Sequence, residues 1–152
     1  MKIWFDMDGT IADLYAVEGW LDMLRAFDEK PYTMARPLVK MNALARQLNA
    51  AKRNGHQIGI ISWTSKVSNA EYDARIESAK RGWLAKHLPS VEWDEILVVP
   101  YGTDKYITCG CTGILFDDEK RNRDNWLNGC GFIPDEISKI LSEINKNIWE
   151  RA

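Results

Sequence analysis

A pair of aspartates with one residue between them lies close to the N-terminus of this sequence. Asp6 and Asp8 follow the apolar run Ile3–Phe5, and Gly9 and Thr10 come directly after them. An apolar run of this kind predicts a short buried strand, and ligands of open parallel sheets bind just outside the carboxyl ends of the strands. Two carboxylates at such an end repel one another, so they call for a cation, and oxygen ligands favour a hard ion such as Mg²⁺.

Polar side chains also follow three later apolar runs of the chain. They are two hydroxyl groups, one lysine and a second pair of acids: Thr64, Ser65, Lys105, Asp117 and Asp118. Because the carboxyl ends of parallel strands meet at one edge of a sheet, a parallel sheet would gather these groups and Asp6 in one crevice. A lysine and two hydroxyls beside clustered carboxylates suit a phosphate oxygen and a bound Mg²⁺.

This set of groups predicts phosphoryl-transfer chemistry with a covalent intermediate. A carboxylate can attack phosphorus to form an acyl phosphate, and a second acid can protonate the leaving oxygen and then activate water. Asp6, at the rigid end of the strand, suits the nucleophile, whereas Asp8, in a turn that Gly9 permits, suits the acid and base. Mg²⁺ and Lys105 would neutralise the charge on the transferred group.

The elements that position these groups alternate between strands and helices along most of the chain. Predicted strands lie at Lys2–Phe5, Ile58–Ser62, Glu95–Pro100 and Gly113–Phe116, with an edge strand at 129–133. Predicted helices lie at Leu14–Phe27, Leu38–Arg53, Ala70–Leu88, Glu119–Leu127 and Pro134–Arg151, and residues 28–37 form a connection. This alternation predicts an α/β fold, a Rossmann-like parallel sheet with helices on both faces and a small helical cap inserted after the first strand.

The motifs resemble those of the haloacid dehalogenase superfamily, whose phosphatases carry Asp-x-Asp-Gly-Thr/Val as their first motif. The four motifs match in order: DMDGT at Asp6, IGIISWTS at Thr64, Lys105, and GILFDD at Asp117-Asp118. Ser62 is a competing match for the second motif. Within the superfamily the sequence is most similar to the 5′(3′)-deoxyribonucleotidase-like branch. That similarity rests on three features: Thr64-Ser65, Trp83 in the following helix, and Asp104-Lys105.

The resemblance implies a role for each matched residue. Asp6 is then the nucleophile, and Asp8 is the acid and base. Mg²⁺ is implied to lie on the Asp6 carboxylate, the Asp8 backbone carbonyl and Asp117. Asp118 is implied to hold a metal-bound water or to orient the site. Three residues are implied to bind the phosphate: Thr64, Ser65 and Lys105.

The sequence departs from that branch between the first motif and the second strand. Family members carry a larger helical cap there, which closes on the nucleoside, whereas residues 14–37 offer about one helix and a loop. A short cap leaves an open site for a larger substrate, such as a nucleic-acid end, or requires another subunit to cover it. Trp63, beside the phosphate loop, is the aromatic residue that we expect to contact the substrate.

Three functions are compatible with these residues. The leading hypothesis is a Mg²⁺-dependent phosphomonoester hydrolase that acts on (deoxy)nucleoside monophosphates through an aspartyl phosphate. A 3′-phosphatase for polynucleotide ends would use the same chemistry, but the net charge of −2 argues against a general nucleic-acid binder. A non-enzymatic receiver-like phosphoacceptor domain would also use acids, Mg²⁺, a hydroxyl and a lysine, although in such domains the acidic pair comes first along the chain.

The composition is that of one globular domain. The chain has 152 residues, 45% hydrophobic and 28% charged, which predicts a single domain at 1–152 with the cap at about 14–37. We expect a cytoplasmic protein, because the sequence shows no signal-peptide core and no membrane-length apolar run, and its three cysteines suit reduced thiols. The expected partner is a small phosphorylated substrate rather than a membrane or a nucleic acid. The base, the sugar, the phosphate position and a homo-oligomeric state are left open.

Overall fold

The chain alternates strands and helices in a computed structural model that describes residues 1–110, 113–126 and 130–149. In chain order the elements are β1 (Lys2–Phe5), β2 (Ala12–Asp13), α1 (Trp20–Arg25), α2 (Lys30–Met34), β3 (Arg36–Pro37), α3 (Met41–Arg53), β4 (Gln57–Trp63), α4 (Ala70–His87), β5 (Glu95–Val99), α5 (Lys105–Thr108), β6 (Ile114–Phe116), α6 (Lys120–Asn125), β7 (Gly131–Phe132) and α7 (Ile137–Asn145). Single 3₁₀ turns lie at Leu14–Ala16 and Pro134–Glu136.

Five of the strands form one parallel sheet in the order β5-β4-β1-β6-β7. The central strand is β1, where Phe5 pairs with Ile60 of β4 on one side and with Phe116 of β6 on the other. Numbered along the chain, these strands follow the doubly wound order 3-2-1-4-5, whose binding crevice lies where the winding reverses, here between β1 and β6. Receiver-like domains have the order 2-1-3-4-5, so the observed topology argues against the receiver-like hypothesis.

Both faces of the sheet are covered. Five consecutive residues of β4, from Ile58 to Ser62, are buried, and successive side chains of a strand point to opposite faces. On the outer layers α3 packs against α7, while α4 packs against α2. The predicted α/β fold with helices on both faces of a parallel sheet is therefore confirmed.

The segment that follows the first aspartates differs from its prediction. The predicted helix Leu14–Phe27 is wrong, because Gly19 adopts a left-handed conformation (φ +72°) that separates the 3₁₀ turn from α1. The predicted connection at 28–37 contains α2 and ends in β3, which pairs antiparallel with β2. The two short strands thus bring the ends of this helical segment together, and residues 14–35 between them form an insert on the fold.

The remaining boundaries agree with the predicted ones to within three residues up to β6. The predicted helix Pro134–Arg151 starts as a 3₁₀ turn, and α7 ends at Asn145, because Asn147 adopts a positive φ of 56° that stops a helix. Four of the five residues of its predicted apolar stripe, Ile137, Ile140, Leu141 and Ile144, are buried, whereas the fifth, Ile148, lies beyond the end of α7 and is exposed. The predicted ends at Leu127, residue 129 and Arg151 lie outside the described residues.

Across the described part of the chain, every helix is too short or too polar to span a membrane.

Candidate active site

The carboxylates of Asp6 and Asp117 lie side by side at the carboxyl end of the sheet. Asp6 follows β1 and Asp117 follows β6, and the Asp6 N–H donates to the Phe116 carbonyl at 2.9 Å. Lys105, the first residue of α5, places its Nζ 2.9 Å from Asp6 Oδ1 and 2.7 Å from Asp117 Oδ2. All three side chains are buried, so the ammonium group is an internal counter-ion for both acids.

The turn after Asp6 joins it to Asp118. The Thr10 hydroxyl lies 3.1 Å from Asp6 Oδ2, to which it donates, and it accepts from the Asp118 N–H at 3.1 Å. Gly9 has φ +78°, and a Cβ there would lie 2.2 Å from Asp118 Oδ2. The glycine therefore leaves the space that the Asp118 carboxylate occupies. Thr10 was not predicted to take part in the site.

The turn at Asp117 and Asp118 is held by the residues that follow it. The Glu119 N–H donates to Asp117 Oδ1 at 2.9 Å, and Asn122 Nδ2 donates to Asp117 Oδ2 at 3.1 Å. Arg123 Nη1 donates to the backbone carbonyls of Asp117 and Asp118, at 3.0 and 2.7 Å. No local pattern indicates Asn122, because its contact depends on how α6 folds back over the end of β6.

The Asp8 carboxylate is paired with a different lysine from the one that is paired with Asp6. Its Oδ2 lies 2.8 Å from Nζ of Lys80, a residue of α4 whose side chain is 1% exposed. The Lys80 ammonium also donates to Ser62 Oγ at 2.6 Å and to the Trp63 carbonyl at 2.7 Å. Burial raises the pKa of the Asp8 carboxyl above its ordinary value, although the Lys80 ammonium opposes this shift.

Lys80 was missed by the sequence analysis, yet a signal for it exists. Tyr72, Ile76, Lys80 and Leu84 follow one another at helical spacing, and all four are buried on one face of α4. A lysine in the middle of such a stripe indicates a buried counter-ion. The partner acid cannot be read from the helix alone, because Asp8 lies far away in sequence.

The hydroxyls of the predicted phosphate loop line a pocket beside the acids. Thr64 and Ser65, which directly follow β4, are buried to more than nine-tenths and border the same cavity as Asp6 and Lys105. Ser62, the competing match, is fully buried and is bonded to Lys80 instead. The structure therefore brings the predicted pair to the cavity and leaves Ser62 beneath it.

This cavity has a volume of about 400 Å³ and largely apolar walls. Trp63 lines the cavity, and its ring centroid lies 5.0 Å from that of Tyr101 and 5.1 Å from Lys105 Nζ. The insert lines the same cavity through Tyr15 and Trp20, whose rings meet edge to face at 5.1 Å. The cavity thus joins a group of acids to an aromatic chamber of a size that suits a small ligand.

The acids form a set of oxygen ligands that fits a hard cation. One carboxylate oxygen from each of Asp6, Asp117 and Asp118 lies within 4.8 Å of the others, the one such cluster among the described residues. Burial, and then the neighbouring Asp6 charge, raise the pKa of Asp117 to about 6 and that of Asp118 to about 8. Burial alone would lower the pKa of Lys105, but the Asp6 and Asp117 carboxylates outweigh it and raise that pKa. A divalent cation held by these oxygens would offset both the burial and the repulsion that raise these pKa values.

The fold is similar to that of a solved structure, a D,D-heptose 1,7-bisphosphate phosphatase from Burkholderia thailandensis. The alignment covers 93% of this chain and 96% of that chain, with a TM-score of 0.56 and 10% sequence identity. No protein-family model and no curated protein matches the sequence. At this level of identity the likeness is one of fold, and it supports the doubly wound architecture described above.

Mg²⁺ is expected to raise the thermal unfolding temperature of the protein, because it would bind the folded chain at the acid cluster. At about 100 times its dissociation constant a ligand stabilises by about 2.7 kcal/mol, which corresponds to roughly 5–10 °C for a domain of this size. Protons compete with the ion for Asp117 and Asp118, so the apparent affinity should increase from about pH 6 to about pH 8. Scanning fluorimetry across a Mg²⁺ titration measures both effects.

Two matched variants test whether the acid cluster causes the Mg²⁺-induced rise in unfolding temperature. Asp117→Asn should lose most of the Mg²⁺-induced shift. Asp124→Asn, the same substitution at an exposed position of α6, should keep it. If Mg²⁺ does not change the unfolding temperature of the unmodified protein at any pH, the acid cluster is not a metal site.

Proposed function

We propose that this protein is a Mg²⁺-dependent phosphomonoester hydrolase that acts through an aspartyl phosphate. The observation that carries this proposal is the setting of Asp6. Its carboxylate is buried at the end of the central strand, one oxygen held by Lys105 and the other by Thr10, beside the cavity lined by Thr64 and Ser65. A carboxylate fixed in this way is a preorganised nucleophile for a phosphate group bound by those hydroxyls.

The chain's own groups divide the reaction into two steps. In the first step a carboxylate oxygen of Asp6 bonds to phosphorus while the bond to the ester oxygen breaks, and Asp8 gives its proton to that oxygen. In the second step Asp8 takes a proton from water, whose oxygen bonds to phosphorus and displaces the Asp6 carboxylate. The raised pKa of Asp8 supports the acid role, because a protonated carboxyl is needed at the start.

The phosphate and the metal would be held by the remaining residues of the site. Those proposed to bind the phosphate are Thr64, Ser65 and Lys105. Mg²⁺ would be held by the carboxylates of Asp6 and Asp117 and by the Asp8 backbone carbonyl, with Asp118 orienting the site. When bound, the ion would neutralise charge on the phosphate oxygens. The resemblance of the four motifs to the haloacid dehalogenase phosphatases supports this assignment.

A (deoxy)nucleoside monophosphate is the proposed substrate. The cavity is large enough for a small ligand, and its lining includes the aromatic rings of Trp63, Tyr15 and Trp20. Flat rings of this kind suit a nucleobase, and base–aromatic stacking contributes about 1–3 kcal/mol in other proteins. The insert at 14–35 is proposed to act as the cap of a single domain, since its residues line the cavity together with those of the sheet edge.

Phosphate release from a substrate panel tests the proposed function. The panel contains nucleoside 5′- and 3′-monophosphates, sugar phosphates and a 3′-phosphorylated oligonucleotide, each with and without Mg²⁺. A nucleoside monophosphate should be hydrolysed best, and only with Mg²⁺. Hydrolysis of the oligonucleotide alone would replace the proposed substrate with a polynucleotide end, and Mg²⁺-independent release would contradict the proposed site.

Trp20→Ala is expected to raise KM for a nucleoside monophosphate by about 10-fold with little change in kcat, because it removes one wall of the proposed base site. Trp20 is chosen because it lies on the insert, whereas Trp63 also contacts Lys105 and its loss would disturb the acids. Steady-state kinetics on the nucleotide and on glycerol phosphate, which has no ring to stack, make the comparison. An equal rise in KM for both substrates would show that the base does not stack on Trp20.

A further inference from the structure

A buried lysine outside the family motifs is bonded to the proposed acid and base. Lys80 on α4 is 1% exposed, and its Nζ has three acceptors within 2.8 Å: Asp8 Oδ2, Ser62 Oγ and the Trp63 carbonyl. The Tyr32 ring of the insert lies 4.9 Å from the same nitrogen. An ammonium group has three N–H donors, so each donor of Lys80 is matched by an acceptor.

Two buried lysines divide three of the four acids of the site, Asp6, Asp8 and Asp117, between them. Lys105 is paired with Asp6 and Asp117, whereas Lys80 is paired with Asp8. A buried charge without a partner is costly, so each pairing fixes the position of both members. The other two hydrogen bonds of Lys80 are to β4, the strand that leads directly into Thr64.

We propose that Lys80 is a positioning residue that ties the Asp8 carboxylate to the end of β4. The proposal rests on the proposed function, in which Asp8 exchanges a proton with the leaving oxygen and then with water. Asp8 lies in the turn after β1, and its carboxylate would be free to rotate without this tie. Held by Lys80, it keeps a constant distance from the hydroxyls of Thr64 and Ser65, which are proposed to bind the phosphate.

A comparison of two leaving groups tests this role. Nitrophenolate leaves phosphorus without a proton, whereas the alkoxide of a nucleoside needs one from Asp8. In Lys80→Met, phosphorylation of Asp6 by nitrophenyl phosphate should stay fast and hydrolysis of the aspartyl phosphate should become slow. A burst of about one nitrophenolate per active site, absent in the unmodified protein, is then expected. The nucleotide should show no burst and a kcat lower by about 100-fold.

Control variants separate positioning from a general loss of structure. Lys86→Met makes the same substitution at an exposed position of α4 and should behave like the unmodified protein. Ser62→Ala keeps the charge pair but removes one contact of Lys80 with β4, so it should change kcat several-fold in the same direction and remains informative if Lys80→Met does not fold. Equal losses on both substrates without a burst, or no loss in either variant, would overturn the proposal.

A crystal structure of a variant gives a readout that does not depend on activity. In Lys80→Met the Asp8 carboxylate, now 2.8 Å from Lys80 Nζ, should leave its present position. In Ser62→Ala, if that variant alone folds, the Lys80–Asp8 pair should stay together and shift away from β4. A carboxylate that stays in place would overturn the positioning role even if no substrate is found. Absence of Mg²⁺-dependent phosphate release from the unmodified protein would instead reject the proposed function, and the position of Asp8 would then decide the role of Lys80.

Discussion

Replacing Asp6 with Asn is expected to lower kcat for phosphate release at least about 1,000-fold, because an amide cannot form the aspartyl phosphate. The fold should tolerate the change. Asn has nearly the same shape, and Lys105 keeps Asp117 as its counter-ion at 2.7 Å. Release of phosphate from the best substrate of the panel, with the unfolding temperature measured beside it, separates lost chemistry from lost structure.

The matched control for this variant is Asp124→Asn, which makes the same substitution at an exposed position on α6 and should keep full activity. A second check follows the covalent step directly. The unmodified protein, quenched in acid during turnover, should carry a small but detectable amount of bound phosphate that alkali removes, and Asp6→Asn should carry none. If Asp6→Asn retains more than a few per cent of the activity, the nucleophile is another group. The acid and base role proposed for Asp8 would then also be wrong.

The sheet and the strand-end residues were predictable because each depends on local sequence. Ile58–Ser62 and Gly113–Phe116 are continuous apolar runs, which a strand buried on both faces requires. A parallel sheet then brings the residues that follow its strands to one edge, whatever the conformation of the connecting loops. This is why Asp6 and Asp117, which are distant in sequence, lie beside the same lysine.

The insert was predicted less well, because its conformation is set by few and weak local signals. The apolar positions from Leu14 to Leu24 keep helical spacing through a glycine that the chain uses in the left-handed conformation. The two prolines at 28–37 are typical of a connection, although proline is well tolerated in the first turn of a helix, where α2 contains Pro31. The two-residue strands β2 and β3 are too short to leave a pattern.

The residues of the site that were missed act through tertiary contacts. Thr10 and Asn122 are ordinary polar residues in sequence, and only the folded chain places them on Asp6 and Asp117. Lys80 is the exception, because a lysine within a buried stripe of a helix is itself unusual. Its acid partner still had to come from the structure.

Lys105→Met is expected to destabilise the metal-free protein by about 3 kcal/mol, because it leaves the buried Asp6 and Asp117 carboxylates without a counter-ion. The loss should be larger at pH 8 than at pH 5. The pKa of Asp117 is already raised to about 6, so at pH 5 a proton can replace the missing ammonium charge. Urea unfolding at the two pH values measures the difference, and Lys120→Met, at an exposed surface ion pair, should change stability by less than about 1 kcal/mol.

Mg²⁺ separates the two roles proposed for Lys105. A divalent cation on the carboxylates can supply the missing positive charge, so Mg²⁺ should restore most of the stability of Lys105→Met. It should not restore activity, because the ammonium group is also proposed to bind the phosphate. We expect kcat/KM to stay about 100–1,000-fold below that of the unmodified protein at saturating Mg²⁺. Full recovery of activity with the metal would show that Lys105 serves only as a counter-ion in the folded chain. If Lys105→Met is as stable as the unmodified protein without Mg²⁺, the Asp6 and Asp117 carboxyls are neutralised by protons and do not need the lysine as a counter-ion.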